Sequence, residues 1–270
     1  MILSSPDLTD AQFQKISDLV YRHSGINLKS GKEALVRARL MKRFRALGMD
    51  SVDAYLEFIG GRAGSDELNR MIDVMTTNKT SFYREIEHFK YLQETVLPQS
   101  KAKRVRLWSA ACSSGEEPYS IAMTLKEYLP DIARKDVLIL ATDISTRMLE
   151  KAQQAIYSKD VLKDVPPACF QKYFVRMASS GDTYQVHPDI RALVRLGNLN
   201  LMNAWPMKGP FNIIFCRNVM IYFDRDTQQH LINRFWEILE PGGYLFVGHS
   251  EGLSSITHKF KYIRPATYKK

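Results

Sequence analysis

The chain has 270 residues, room for one large domain or two small ones, and its 45% hydrophobic and 25% charged content is that of a globular protein. A formal net charge of +9 favours an acidic partner, whether nucleic acid, an anionic membrane or an acidic protein surface, without choosing among them. Three scattered cysteines with no C-x-x-C pair argue against a disulfide framework or zinc knuckle, and six histidines with no H-E-x-x-H give metal chemistry no support, so no metal is expected.

Cys112, Cys169 and Cys216 read as small hydrophobes in or near a core. No apolar run is long enough to span a bilayer, and the start "MILSSPDLTDAQF" lacks the basic end, apolar stretch and cleavage site of a signal peptide. A cytoplasmic protein without direct membrane insertion is expected.

Residues 1–77 read as helical. "LTDAQFQKISDLVYRHSG" sets Phe13, Ile16, Leu19 and Val20 on one face, with Thr9 as N-cap and Gly25 as stop. "KEALVRARLMKRFRALG" is a second amphipathic helix ending at Gly48, with Leu35, Val36, Leu40, Phe44 and Leu47 at the helical period. "SVDAYLEFIGG" and "SDELNRMIDVMTT" are shorter helices, and the four suit a module with its own small core.

From about residue 104 short apolar runs alternate with helices, which predicts an α/β fold with a mainly parallel, doubly wound sheet over 78–270. "VRLW" is a strand, "SAACSSGEEPYS" a loop, and "PYSIAMTLKEYL" a helix with Pro118 in its first turn. "DVLILATDI" is a buried strand followed by the helix "STRMLEKAQQAIY". "FNIIFCRNVMIYF" reads as another buried strand, "RDTQQHLINRFWEILEPGG" as a helix closed by Pro-Gly-Gly, and "YLFVGHS" and "YIRPATYKK" as two more strands. Residues 157–199 interrupt the alternation: "FQKYFVRM", "DTYQVHP" and "ALVRLGN" look like short strands, with a turn signal at Ser-Ser-Gly-Asp, and predict a small antiparallel β insert.

In open α/β sheets ligands bind beyond the carboxyl ends of the strands, near the point where strand order reverses. Three segments would meet there: the 109–117 loop, Asp143, and "CRNVMIY" at 216–222. An acid ending the second strand can hold ribose hydroxyls; the alternative for Asp143 is an N-cap for the helix after it. The 109–117 loop is neither G-x-G-x-x-G nor a P-loop, having one glycine and no following lysine, so phosphate binding is poorly supported. Glu116 and Glu117 favour a cation or hydroxyl donors, or else they complement a helix N-terminus. A nucleoside without phosphates and with a cationic amino-acid end, as in S-adenosylmethionine, satisfies the loop and Asp143 together.

"TTNKTSFYRE", "SAACSSGEEPYS", "ATDI", "NL" at 200–201, "CRNVMIYF" and "GHSE" stand in order over residues 76–251. Together they resemble the chemotaxis receptor glutamate methyltransferases, the CheR family, over nearly the whole chain. The resemblance implies a Rossmann-like methyltransferase sheet, an N-terminal helical receptor-docking domain, and a β subdomain inserted at 157–199. It implies S-adenosylmethionine as cofactor, S-adenosylhomocysteine as product, and chemoreceptor glutamates as methyl acceptors in sensory adaptation. The cofactor contacts it implies are Asn78, Thr80, Arg84, Glu117, Asp143, Asn200, Leu201, Arg217 and Asn218, with Tyr222 near the transferred methyl.

Arg84 and Tyr222 are the candidate catalytic residues. Arg84 could hold the cofactor carboxylate, orient the acceptor, or pair with a nearby acid; Tyr222 could instead be a core aromatic at the end of a strand. Arg37, Arg39, Lys42, Arg43 and Arg45 share the second helix and are the candidate docking groups for glutamate-bearing methylation helices, against the alternative of a solvated basic face. Some family members also hold a receptor C-terminal peptide at the β subdomain by strand addition. A monomer with no nucleic-acid partner is expected. The rivals are a nucleic-acid methyltransferase, disfavoured because "RNVMIY" lacks the D/N-P-P-Y/F stretch that holds a flipped base, and a non-catalytic module that senses the cofactor.

Overall fold

The computed structural model describes residues 8–61, 64–178 and 181–270. The chain divides into two compact units, one holding residues up to Thr77 together with Tyr222–Asp224, the other Asn78–Ile221 and Arg225–Lys270. Among the described residues no helix is long and apolar enough to cross a membrane.

Among the described residues the first unit contains four helices: α1 (Asp10–Ser24), α2 (Glu33–Leu47), α3 (Val52–Gly60) and α4 (Ser65–Met75). Thr9 caps α1 in a reciprocal box with Gln12, and Gly25 closes the helix in the left-handed region, as its sequence predicts. Phe13, Ile16, Val20, Val36, Leu40, Phe44, Tyr55, Ile59, Met71 and Met75 form the core, with the Phe44 and Tyr55 rings edge to face at 5.0 Å. Leu35, expected on the apolar face of α2, is instead exposed. A polar network runs through this core: Arg43 forks onto Glu67 at 2.8 and 2.7 Å, and the Tyr55 hydroxyl donates to the same carboxylate at 2.8 Å.

The second unit begins with α5 (Ile86–Tyr91), continued by a wider turn over Leu92–Val96. Then follow β1 (Arg104–Ala110), α6 (Glu116–Tyr128), β2 (Asp136–Asp143), α7 (Thr146–Gln154), β3 (Ile156–Ser158), α8 (Pro167–Tyr173), β4 (Phe174–Arg176), β5 (Thr183–Val186), α9 (Pro188–Arg191), β6 (Val194–Asn198), β7 (Phe211–Cys216), α10 (Arg225–Ile238), β8 (Leu239–Val247), β9 (Lys261–Arg264) and β10 (Thr267–Lys269). The main sheet has the order β6-β2-β1-β7-β8-β10-β9, its first five strands parallel, β10 antiparallel to β8 and β9 antiparallel to β10. Strand order reverses at β1. Ala110 pairs with Thr142 and with Cys216, Asp143 with Asn198, and Cys216 with Val247, so five carboxyl ends lie in register along one edge.

Four expectations are corrected. The insert does not reach 199: β3, β5 and β4 form its antiparallel sheet, but "ALVRLGN" supplies β6, the edge strand of the main sheet beside β2. "FNIIFCRNVMIYF" is a strand only to Cys216; beyond it the chain turns, with a single 3-10 turn at Met220–Tyr222. Pro241, Gly242 and Gly243 do not cap α10, which ends at Ile238; they lie within β8, where its register against β7 shifts. "YIRPATYKK" is a hairpin of two strands rather than one. Ser179 and Ser180 of the expected turn lie outside the described residues.

Candidate active site

The loop after β1 is bent by left-handed backbone at Ala111, Ser113 and Gly115. At Gly115 a Cβ would come within 2.9 Å of both Ala152 Cβ and the Tyr157 hydroxyl, so the loop can close against α7 only with glycine there. Asp143, buried at the end of β2, binds the loop from the other side: Oδ2 accepts from the Ser113 N–H at 2.7 Å and Oδ1 from the Ser145 N–H at 2.9 Å. The N-cap of α7 is Ser145, not Asp143.

Glu116 and Glu117 open α6 but face different surroundings. Glu116 is buried and receives the Ser114 hydroxyl at 2.8 and 3.0 Å, which makes it a brace for the turn. Glu117 receives the Ser109 hydroxyl at 2.7 Å and stands 3.4 Å from Arg217 Nη1. Burial pushes the Glu117 carboxyl up, against the pull of Arg217. Cys112 is buried and its thiol is pushed well up, so it stays neutral.

Arg217, its side chain only 1% exposed, is the hub. Besides Glu117 it stands 3.3 Å from Glu85 Oε2, donates to the Arg84 carbonyl, and lies over the Phe89 ring. Burial works against the charge on Glu85, but Arg217, the Asn218 side chain and the His249 N–H together hold its carboxyl below the usual range. Asn218 Nδ2 donates to Glu85 Oε1 at 3.1 Å. Asn78 reaches the same region through its carbonyl, which accepts from the Ser113 hydroxyl at 2.9 Å. Arg84 donates one N–H to the Lys79 carbonyl at 2.8 Å and is near enough to Glu117 to act on its charge. Thr80 is half-buried in the irregular stretch ahead of α5.

Asn200 and Leu201 follow β6. Leu199 N–H donates to the Asp143 carbonyl at 3.0 Å, and the Asn198 side chain to the carbonyls of Asp143 and Ile144. Behind them Arg234, stacked 3.7 Å over Trp205, donates to the carbonyls of Leu201 and Asn203. Nine expected residues, Asn78, Thr80, Arg84, Glu117, Asp143, Asn200, Leu201, Arg217 and Asn218, thus all belong to the second unit, most of them tied by hydrogen bonds around the carboxyl edge of the sheet. Tyr222 is placed differently. It ends the 3-10 turn, its carbonyl accepts from the Asn27 N–H at 2.8 Å, and it groups with the helical unit.

The description "CheR methyltransferase, SAM binding domain" matches residues 78–269, and "CheR methyltransferase, all-alpha domain" matches residues 11–76. The chain belongs to the CheR methyltransferase family. It is 41% identical over 258 residues to the probable chemotaxis protein methyltransferase of Rhizobium etli, covering 93% of this chain and 96% of the relative. It is 42% identical over 262 residues to the chemotaxis protein methyltransferase of Klebsiella aerogenes, covering 96% and 89%, and 41% identical over 255 residues to that of Escherichia coli, covering 94% and 88%. It is an S-adenosylmethionine-dependent methyltransferase of the chemotaxis type. Two acids stand at this edge of the sheet: Asp143, buried at the end of β2, and Glu117, half-buried in the first turn of α6, where desolvation works against its charge.

Several residues of the CheR site carry roles that sequence reasoning missed. Glu85 and Glu251 stand in "SFYRE" and "GHSE", yet nothing in their spacing shows that the first is a half-buried and the second a buried acceptor. Glu85, His88 and His249 bring three possible ligand atoms within 4.8 Å of one another; the cation on Glu85 is the guanidinium of Arg217, which a metal would have to displace.

His88 is 1% exposed, and neither ring nitrogen has a hydrogen-bond partner. Burial, then the charge of Arg217, push its pKa down to about 3, with Glu85 opposing and His249 and Arg264 adding to the shift. Below the usual 6.5 the unfolded chain takes up a proton that the folded chain refuses. The stability His88 contributes is therefore full above that pH and is lost as pH falls, by about 2 kcal/mol between about pH 6.5 and 4.5. His88→Phe should flatten this part of the slope in urea titrations across that range; an unchanged slope would place the effect elsewhere.

Proposed function

We propose that the chain methylates glutamate side chains on the methylation helices of chemoreceptor signalling domains, giving glutamate methyl esters and S-adenosylhomocysteine for sensory adaptation. The observation that supports this most is the match to chemotaxis protein methyltransferases across more than nine-tenths of the chain. When bound, the cofactor supplies a methyl group already activated on a sulfonium. The acceptor carboxylate is ionised at neutral pH, so the protein has no proton to remove and needs no general base. Its work is alignment and partial desolvation.

In this reading Asp143 takes the ribose hydroxyls and Glu117 the cationic amino-acid end. Asn200 and Leu201 border the base, and Asn78, Thr80, Arg217 and Asn218 complete the enclosure. Arg84 orients a carboxylate with the N–H donors it does not spend on Lys79. For Tyr222 we keep the role that the family resemblance implies, an aromatic group near the transferred methyl. The outer edges of β3 and β4, each paired with β5, suit a receptor C-terminal peptide added as a further strand.

The basic docking surface is narrower than the five charges of α2. Arg43 is taken up by buried Glu67, and Arg39 donates to the Met75 carbonyl and to Thr77 Oγ1, closing the end of α4. Lys42 and Arg45 are exposed, and these are the docking groups we assign. Arg43→Ala strands a buried carboxylate and should cost the helical unit about 3 kcal/mol. Lys42→Glu with Arg45→Glu should leave stability and cofactor affinity unchanged while receptor methylation falls about tenfold. Unaltered methylation in the double variant would move the docking surface off α2.

A further inference from the structure

The "GHSE" segment at 248–251 has no role among the cofactor contacts, yet it touches the turn that carries Arg217 and Asn218. Glu251 is 7% exposed. Its Oε2 accepts from the Asn218 N–H at 2.6 Å and the Gly248 N–H at 2.7 Å, and its Oε1 from the Ile221 N–H at 3.1 Å. Three backbone donors from two loops thus end on one carboxylate. Buried N–H groups need partners, and a charged acceptor makes the stronger bond.

The surrounding details follow from that gathering. Asn218 has a φ of 59°, a left-handed conformation that a non-glycine residue keeps only when its surroundings impose it. At Gly248 a Cβ would come within 2.5 Å of Glu251 Oε2 and 2.7 Å of Asn218 Nδ2, so only glycine lets the two loops meet. His249 donates its N–H at 3.3 Å to Glu85 Oε1, the oxygen that also receives the Asn218 side chain. The Leu253 N–H, donating to the Tyr268 hydroxyl at 2.9 Å, ties the segment to β10.

We propose that Glu251 is a positioning residue for methyl transfer, its buried carboxylate fixing the turn at 217–221 so that Arg217 and Asn218 are held at the cofactor site. The proposal rests on the reading of that site given above. Glu251 acts through the turn and touches neither substrate nor cofactor. The bond network runs from Glu251 through Asn218 and Glu85 to Arg217 and Glu117, so a shift at one end is felt at the other.

The test is Glu251→Gln in the full chain, with Leu125→Ala as a control that weakens the core of α6 without touching the turn. A glutamine amide group turns an acceptor into a donor facing N–H groups. The expected results are a fall in kcat of about 10²-fold, the size that a small misplacement causes, and a joint upfield shift of the Asn218, Ile221 and Gly248 amide protons. The control keeps its kcat. An unchanged kcat in Glu251→Gln, or unmoved amide resonances, overturns the proposal, as does an equal loss of kcat in the control. If the glutamine variant does not fold, Glu251→Asp, which keeps the charge but retreats by one methylene, takes its place: the same losses support the proposal and their absence overturns it. If the wild-type chain leaves receptor domains unmethylated, the substrate reading fails. The positioning role is then judged by the amide shifts and by S-adenosylhomocysteine affinity, which should weaken in Glu251→Gln and whose constancy overturns it.

Discussion

Asp143→Ala should abolish measurable cofactor binding. Two charge-assisted bonds to ribose hydroxyls are worth about 3–6 kcal/mol together, or roughly 10²–10⁴-fold in Kd. The variant also releases the buried N–H groups of Ser113 and Ser145, which loosens the loop after β1 and the start of α7. Asp143→Asn is the milder change: it keeps the shape and one oxygen, loses one of the two backbone bonds, and should lower affinity about tenfold while the chain still folds. Titration calorimetry with S-adenosylhomocysteine reads both variants. Wild-type affinity in Asp143→Asn and Asp143→Ala would remove Asp143 from the ribose and leave it as a brace alone.

Arg217→Met should strongly destabilise the second unit. The guanidinium stands between Glu85 and Glu117, at 3.3 and 3.4 Å, and no other cation is bonded to either carboxylate among the described residues. Methionine fills the space over Phe89 but leaves two half-buried carboxylates without their cation, a loss of about 3 kcal/mol at neutral pH. The sign with pH follows from burial. Without Arg217 both carboxyls rise, so the variant regains stability as pH falls and they take up protons. The gap to wild type should be widest at neutral pH and narrow toward about pH 5 in urea titrations. Arg217→Lys should recover only part of the loss, because a point charge cannot fork between two acids and the Arg84 carbonyl. A constant gap across pH would mean that lost packing, not lost charge, dominates.

What can be read from the sequence is what local chemistry decides. Thr9 and Gly25 bound α1 because a cap and a left-handed stop act within a few residues. The loop after β1 and Asp143 can be placed because a strand, a bend and a helix follow one another directly. What cannot be read depends on partners far along the chain. β6 looks like any short apolar run, and only its pairing with β2 takes it out of the insert. Arg43 looks like a surface charge until Glu67, on a different helix, is seen to be buried beneath it. The apolar run "NVMIYF" puts Tyr222 on a strand, but the backbone bonds that Glu251 accepts turn the chain away after Cys216. Glu85 and Glu251 carry no sequence mark that separates an acceptor withdrawn from water from a solvated acid.

Transfer of a methyl group to a receptor carboxylate is tested most directly by incubating the full chain with methyl-labelled S-adenosylmethionine and purified chemoreceptor signalling domains, then treating the labelled receptor with mild alkali. The expected result is label that alkali releases as methanol, as an ester must, and that is lost when the methylation-helix glutamates are replaced by alanine. Label that resists alkali, or that survives the loss of those glutamates, would rule out glutamate ester formation by this chain.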